Sequence, residues 1–76
     1  MNVKIGQRYR AKDDAPHYDK LIKQFGAYEF VLVCKFGDNG WYTCEEYFGG
    51  KKQDGYATHS TDWIEKYCVL VNEELK

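Results

Sequence analysis

The sequence predicts a mostly β, α+β domain in the order β-α-β-β-β-short helix-β. Three observations carry that prediction. An opening segment alternates apolar and charged residues with a period of two, and the stretch after it repeats apolar residues at helical spacing. A central block rich in β-branched and aromatic residues is then split by the turn-forming run Gly37-Asp38-Asn39-Gly40.

Bulk composition sets the limits. The 76 residues are 43% hydrophobic, 30% charged and 17% aromatic with a single proline, which marks a globular chain and not a disordered one. At this size folding buries only ~60% of the surface that the unfolded chain exposes, so large rings must supply much of the core. No apolar run is long enough to span a bilayer, and MNVKIGQRYR lacks the apolar region of a secretion signal. A cytoplasmic location is expected. Eleven basic against twelve acidic side chains give a formal charge of -1, unlike the strongly basic footprint of a dedicated nucleic-acid binder. The expected layout is a single domain over residues 1–71 followed by a solvated tail at 72–76.

In the first segment Ile5, Gln7, Tyr9 and Ala11 fall on one side and Lys4, Arg8, Arg10 and Lys12 on the other, a strand with a wet, cationic face. Asp13, Asp14, Ala15 and Pro16 then read as a helix start. Tyr18, Leu21, Ile22 and Phe25 recur at i, i+3, i+4 and i+7 before Gly26, which predicts a helix over Ala15 to Phe25; the competing reading is a long irregular loop.

For the hairpin that follows, a three-residue loop at Asp38, Asn39 and Gly40 sets Phe36 opposite Tyr42, Cys34 opposite Cys44 and Phe30 opposite Phe48. Leu32 then falls awkwardly opposite Glu46. A two-residue Asn39-Gly40 turn is the other possibility; the first register is preferred because it joins the more apolar rows. Gly49-Gly50 marks a break or bulge, and KKQDGYATH a short strand or continued hairpin arm. STDWIEKY reads as one helical turn with Asp62 and Glu65 at capping-box spacing, and Cys68 to Val71 as a last strand.

The opening VKIGQRYR, the central two-strand block and the closing HSTDWIEKYCVLV resemble the small SH3-like β-barrel proteins common among phage and prophage genes. In such barrels a short helical turn sits immediately before the last strand, as Thr61 to Tyr67 do here. The helix expected between the first two strands departs from a plain SH3 barrel, where that segment is an open loop. The resemblance implies a binding module without catalytic residues, one that engages a host protein. For a phage-derived chain the sharper expectation is host takeover or anti-defence action: inhibition or modulation of a defence nuclease or of a transcription or replication component.

Chemistry-bearing residues are scattered. Cys34, Cys44, Cys68, His17 and His59 are each isolated in sequence, without the close pairs that structural zinc sites use, and three cysteines cannot form a complete disulfide framework. No nucleophile stands beside a base, and neither GDNG nor GGKKQDG has the strand-loop-helix order of a phosphate loop. No enzyme, metal or cofactor is expected. Two surfaces remain. The second face of the hairpin carries Val31, Val33, Trp41 and Tyr47, a protein-binding surface if exposed and a second core if the 15–25 helix covers it. Alternatively Lys4, Arg8, Arg10 and Lys12 could track single-stranded nucleic acid or RNA over ~27 Å of strand; their competing role is a solvated face paired with Glu29, Glu45 or Glu46.

Overall fold

Side-chain alternation is strict where the first strand forms. In β1 (Arg8–Ala11) Tyr9 and Ala11 are buried while Arg8 and Arg10 face outward. The computed structural model describes residues 3–71. Its remaining elements are α1 (Asp19–Phe25), β2 (Tyr28–Lys35), β3 (Trp41–Phe48), β4 (Lys51–Ser60), α2 (Thr61–Tyr67) and β5 (Cys68–Leu70). The strands form one antiparallel sheet in the order β4-β3-β2-β1-β5. The expected tail at 72–76 lies outside the described residues.

β4 and β5 are the two edges of this sheet, yet they are joined by α2 alone. Seven helical residues span only ~10 Å, so the sheet must curl until its edges approach. Backbone bonds fix both ends of that strap: the Thr61 N–H donates to the Gly40 carbonyl at 2.8 Å, and the Lys12 N–H to the Tyr67 carbonyl at 2.7 Å. Among the described residues no strand ladder joins β4 to β5, and the sheet is open. The concave face holds the core, in which Tyr9, Tyr28, Phe30, Leu32, Cys44 and Ile64 are fully buried.

Several boundaries differ from the sequence expectation. β1 starts at Arg8 because the chain turns just before it, the Gln7 N–H bonding to the Lys4 carbonyl at 3.2 Å. Lys4 and Ile5 are therefore off the strand. α1 starts at Asp19, not Ala15, because His17 adopts a left-handed φ of 72° that interrupts helical geometry. Residues Ala15 to Tyr18 form a turn instead, and Gly26 ends the helix with its N–H on the Ile22 carbonyl at 2.7 Å. α2 is capped by Ser60, whose hydroxyl accepts from the Trp63 N–H at 3.1 Å. Asp62 lies inside the first turn and does not cap.

The hairpin register is also corrected. Cys44 pairs with Leu32, Phe48 with Tyr28 and Glu46 with Phe30, while Cys34 faces Thr43 across an irregularity at Val33. Two features cause this: the loop has four residues, closed by the Phe36 N–H on the Trp41 carbonyl at 2.9 Å, and β2 carries an extra residue. The inward row survives as far as Leu32, but beyond the bulge Cys34 and Phe36 turn outward. The next connection is a tight Gly49-Gly50 turn between paired Phe48 and Lys51, with φ of 59° and 85°. Positive φ at both central residues suits the twist of a two-residue hairpin. At Gly49 a Cβ would also lie 2.4 Å from the Phe25 carbonyl oxygen.

Candidate functional site

The apolar face of α1 lies on the concave side of the sheet. Phe25 stacks on Phe48 at 5.5 Å, and Tyr18, at the start of the helix, stacks on Tyr28 at 4.2 Å. Thr43, Glu45 and Tyr47 alternate to the other side of β3, so α1 does not provide the second core considered for that face. The four expected protein-binding residues nevertheless form no single patch. Val31 is half-buried, and Tyr47 is covered by the Arg8 guanidinium 4.1 Å from its ring centre. Val33 is exposed at the bulge. Trp41 stands six residues, or ~20 Å of strand, from Tyr47 and is 41% exposed.

The cationic stripe is largely occupied within the fold. Arg8 Nε lies 2.6 Å and Arg10 Nε 3.3 Å from the two carboxylate oxygens of Glu29, which pairs with Arg10 across β1 and β2 and lies diagonal to Arg8. Lys52 lies 3.8 Å from Glu45. Lys4 and Lys12 are exposed but lie beyond opposite ends of β1. These cross-strand pairs correspond to the solvated-face reading of the stripe.

Trp41 instead belongs to a cleft that the sequence did not reveal. A cavity of about 360 Å³ is lined by His17, Tyr18, Trp41, Thr58, His59, Ser60 and Trp63. Both histidines of the chain, remote from each other in sequence, thus line the same cavity as Trp41. The local causes are identifiable. The left-handed His17 turns the chain so that Tyr18 falls at the N-terminal boundary of α1; Trp41 pairs with Ser60 across β3 and β4; and the Ser60 cap sets Trp63 in the first turn of α2. Two smaller clefts also include Trp41, one with Lys35, Asp38 and Tyr42, the other with Asn39, Thr61 and Asp62.

The inner wall of the main cleft is a ring assembly. His59 stacks parallel to Trp63 at 4.6 Å, and Tyr18 meets both edge-on at 5.6 Å. Behind it runs a buried polar chain: the Tyr28 hydroxyl is 2.7 Å from His59 Nε2 and donates to Glu46 Oε2 at 2.8 Å. A tyrosine has one hydroxyl proton, so with that proton on the carboxylate, Nε2 of His59 must be the donor to Tyr28. Burial lowers the His59 pKa to about 4 and so keeps the imidazole neutral at neutral pH, which with the proton on Nε2 leaves the lone pair on Nδ1. Burial also raises the pKa of the Tyr28 hydroxyl.

Burial likewise pushes the thiols of Cys44 and Cys68 up to about 12, keeping them protonated and weakly nucleophilic at neutral pH. Cys34 is exposed. Among the described residues no group of three or more His, Cys, Asp and Glu side chains is placed to hold a metal ion, and no helix is long and apolar enough to cross a membrane. The chain matches no protein-family model, no curated protein and no solved structure.

Proposed function

We propose that this chain is a small non-enzymatic protein-binding module of SH3-like barrel type that works in the cytoplasm, with its contact site at Trp41. The observation that carries this reading is the position of Trp41: a large, part-exposed indole that borders three clefts at one end of the sheet. Exposed aromatic anchors beside a cavity are the usual centre of a protein-binding hot spot. The strand order, with a short helix between the fourth and fifth strands, supports the SH3-like reading. The sharper form of this reading is a phage-encoded inhibitor or modulator of a host defence, transcription or replication protein.

Nucleic-acid binding through Lys4, Arg8, Arg10 and Lys12 has less support, since Glu29 engages both arginines. The test is selection of a random peptide library on the immobilised protein. Enrichment by the wild type and by Tyr47→Ala, lost in Trp41→Ala, is expected. Enrichment that ignores Trp41, or steeply salt-dependent binding of oligonucleotides with no peptide enriched, would overturn the reading.

A further inference from the structure

We infer that the Trp41 cleft receives the side chain of an arginine presented by the protein partner. This deepens the protein-binding reading and rests on it. The walls are the first reason: the aromatic residues Tyr18, Trp41 and Trp63 line the cleft, and aromatic rings attract a cation through their quadrupoles, indole most strongly. The hydrogen-bonding capacity is the second. His59 spends its Nε2 proton on Tyr28, and among the described residues no donor reaches its Nδ1, which remains an acceptor. The hydroxyls of Thr58 and Ser60 add further acceptors at the same cleft.

Charge is the third reason. No lysine or arginine lines the main cleft, whereas Glu46 lies behind His59 through Tyr28, and Asp38 and Asp62 border the clefts on the other sides of Trp41. Lys35 is the one cation lining these three clefts. Such a setting complements a cation and opposes a phosphate-bearing ligand. A cavity of about 360 Å³ is at the small end of ligand clefts, suited to one long side chain. A planar guanidinium can stack on a flat indole and direct several N–H groups to separate acceptors, which a lysine ammonium does less well.

The test is an NMR titration of the full chain that follows the indole N–H signals of Trp41 and Trp63. The probes are the peptide acetyl-Gly-Arg-Gly-amide, its neutral citrulline counterpart, and adenosine monophosphate. Saturable shifts of both indoles with the arginine peptide are expected, at least about fivefold weaker binding for citrulline, and loss of the response in Trp41→Ala but not in Tyr47→Ala. Equal binding of citrulline and arginine would overturn the inference, as would indole shifts with the nucleotide in the absence of shifts with the arginine peptide. Peptides that bind through Trp41 yet carry no basic residue would remove the arginine and leave the protein-binding reading standing. No enriched peptide and no indole shift would remove both.

Discussion

The Tyr28 hydroxyl lies 2.7 Å from Nε2 of His59, inside the core and directly behind the cleft that Trp41 borders. This contact joins folding to the candidate site, because the atom that fixes the imidazole is part of the packed interior. It also makes stability sensitive to pH. An unfolded His59 takes a proton near the ordinary 6.5, whereas in the fold its pKa is about 4. As pH falls below 6.5 the unfolded state gains a proton that the folded state refuses, so stability falls until about pH 4 and then levels off. The loss is about 3 kcal/mol. Urea unfolding at a series of pH values measures it, and His59→Gln should flatten the slope in that window even though it lowers stability throughout.

Thiol reactivity should divide one against two. Cys34 is exposed, while Cys44 and Cys68 are buried and hold their protons. Under native conditions a maleimide reagent followed by mass spectrometry should add one label rapidly at Cys34, with the other two labelled only after denaturation. Fast labelling of Cys44 would contradict the register that places it opposite Leu32.

Gly49 and Gly50 should respond differently to alanine. Both have positive φ, but only at Gly49 would the new Cβ meet backbone, the Phe25 carbonyl oxygen at 2.4 Å. Gly50→Ala should cost about 1 kcal/mol and Gly49→Ala distinctly more, on the order of 2–3 kcal/mol. Thermal or urea denaturation of the two variants checks the order.

The cap of α2 gives a sharper contrast. Ser60→Ala removes the acceptor for the Trp63 N–H and should cost about 1 kcal/mol, whereas exposed Asp62→Ala should cost a few tenths. Because α2 straps the two sheet edges together, the Ser60→Ala loss should also appear as faster amide exchange in β5.

What the sequence showed, and what it did not, follows from the range of each interaction. Period-two alternation was enough to orient Tyr9 and Ala11 inward, and local capping chemistry was enough to stop α1 at Gly26, because both depend on near neighbours. The start of α1 was misplaced because aspartate and proline propensities do not register the left-handed φ of His17, two residues before the helix begins. The hairpin faces were legible up to Leu32. A four-residue loop and a bulge at Val33 then shifted the partner of Cys44, and turn residues alone do not count the residues in a loop.

The cleft was the least legible feature. Trp41 stood out by its residue type and its face, but its neighbours come from the α1 approach, β4 and α2, brought together by strand order and by the curl that α2 imposes. Reading the Gly49-Gly50 turn as a two-residue hairpin would still have set Tyr42 against Ala57, because an irregularity between Glu45 and Tyr47 moves the register by two residues and brings His59 opposite Tyr42. The stripe of Lys4, Arg8, Arg10 and Lys12 was read correctly as outward-facing at Arg8 and Arg10, but its pairing with Glu29 depended on the register between β1 and β2.

The most direct measurement is the affinity of a library-selected peptide for the wild type, Trp41→Ala and Tyr47→Ala, with the melting temperature of each recorded alongside. If Trp41 anchors a partner, Trp41→Ala should lose at least about thirtyfold in affinity, the equivalent of ~2 kcal/mol. Its melting temperature should stay near that of the wild type, and Tyr47→Ala should bind within about threefold. Unchanged binding by a folded Trp41→Ala would contradict the central claim.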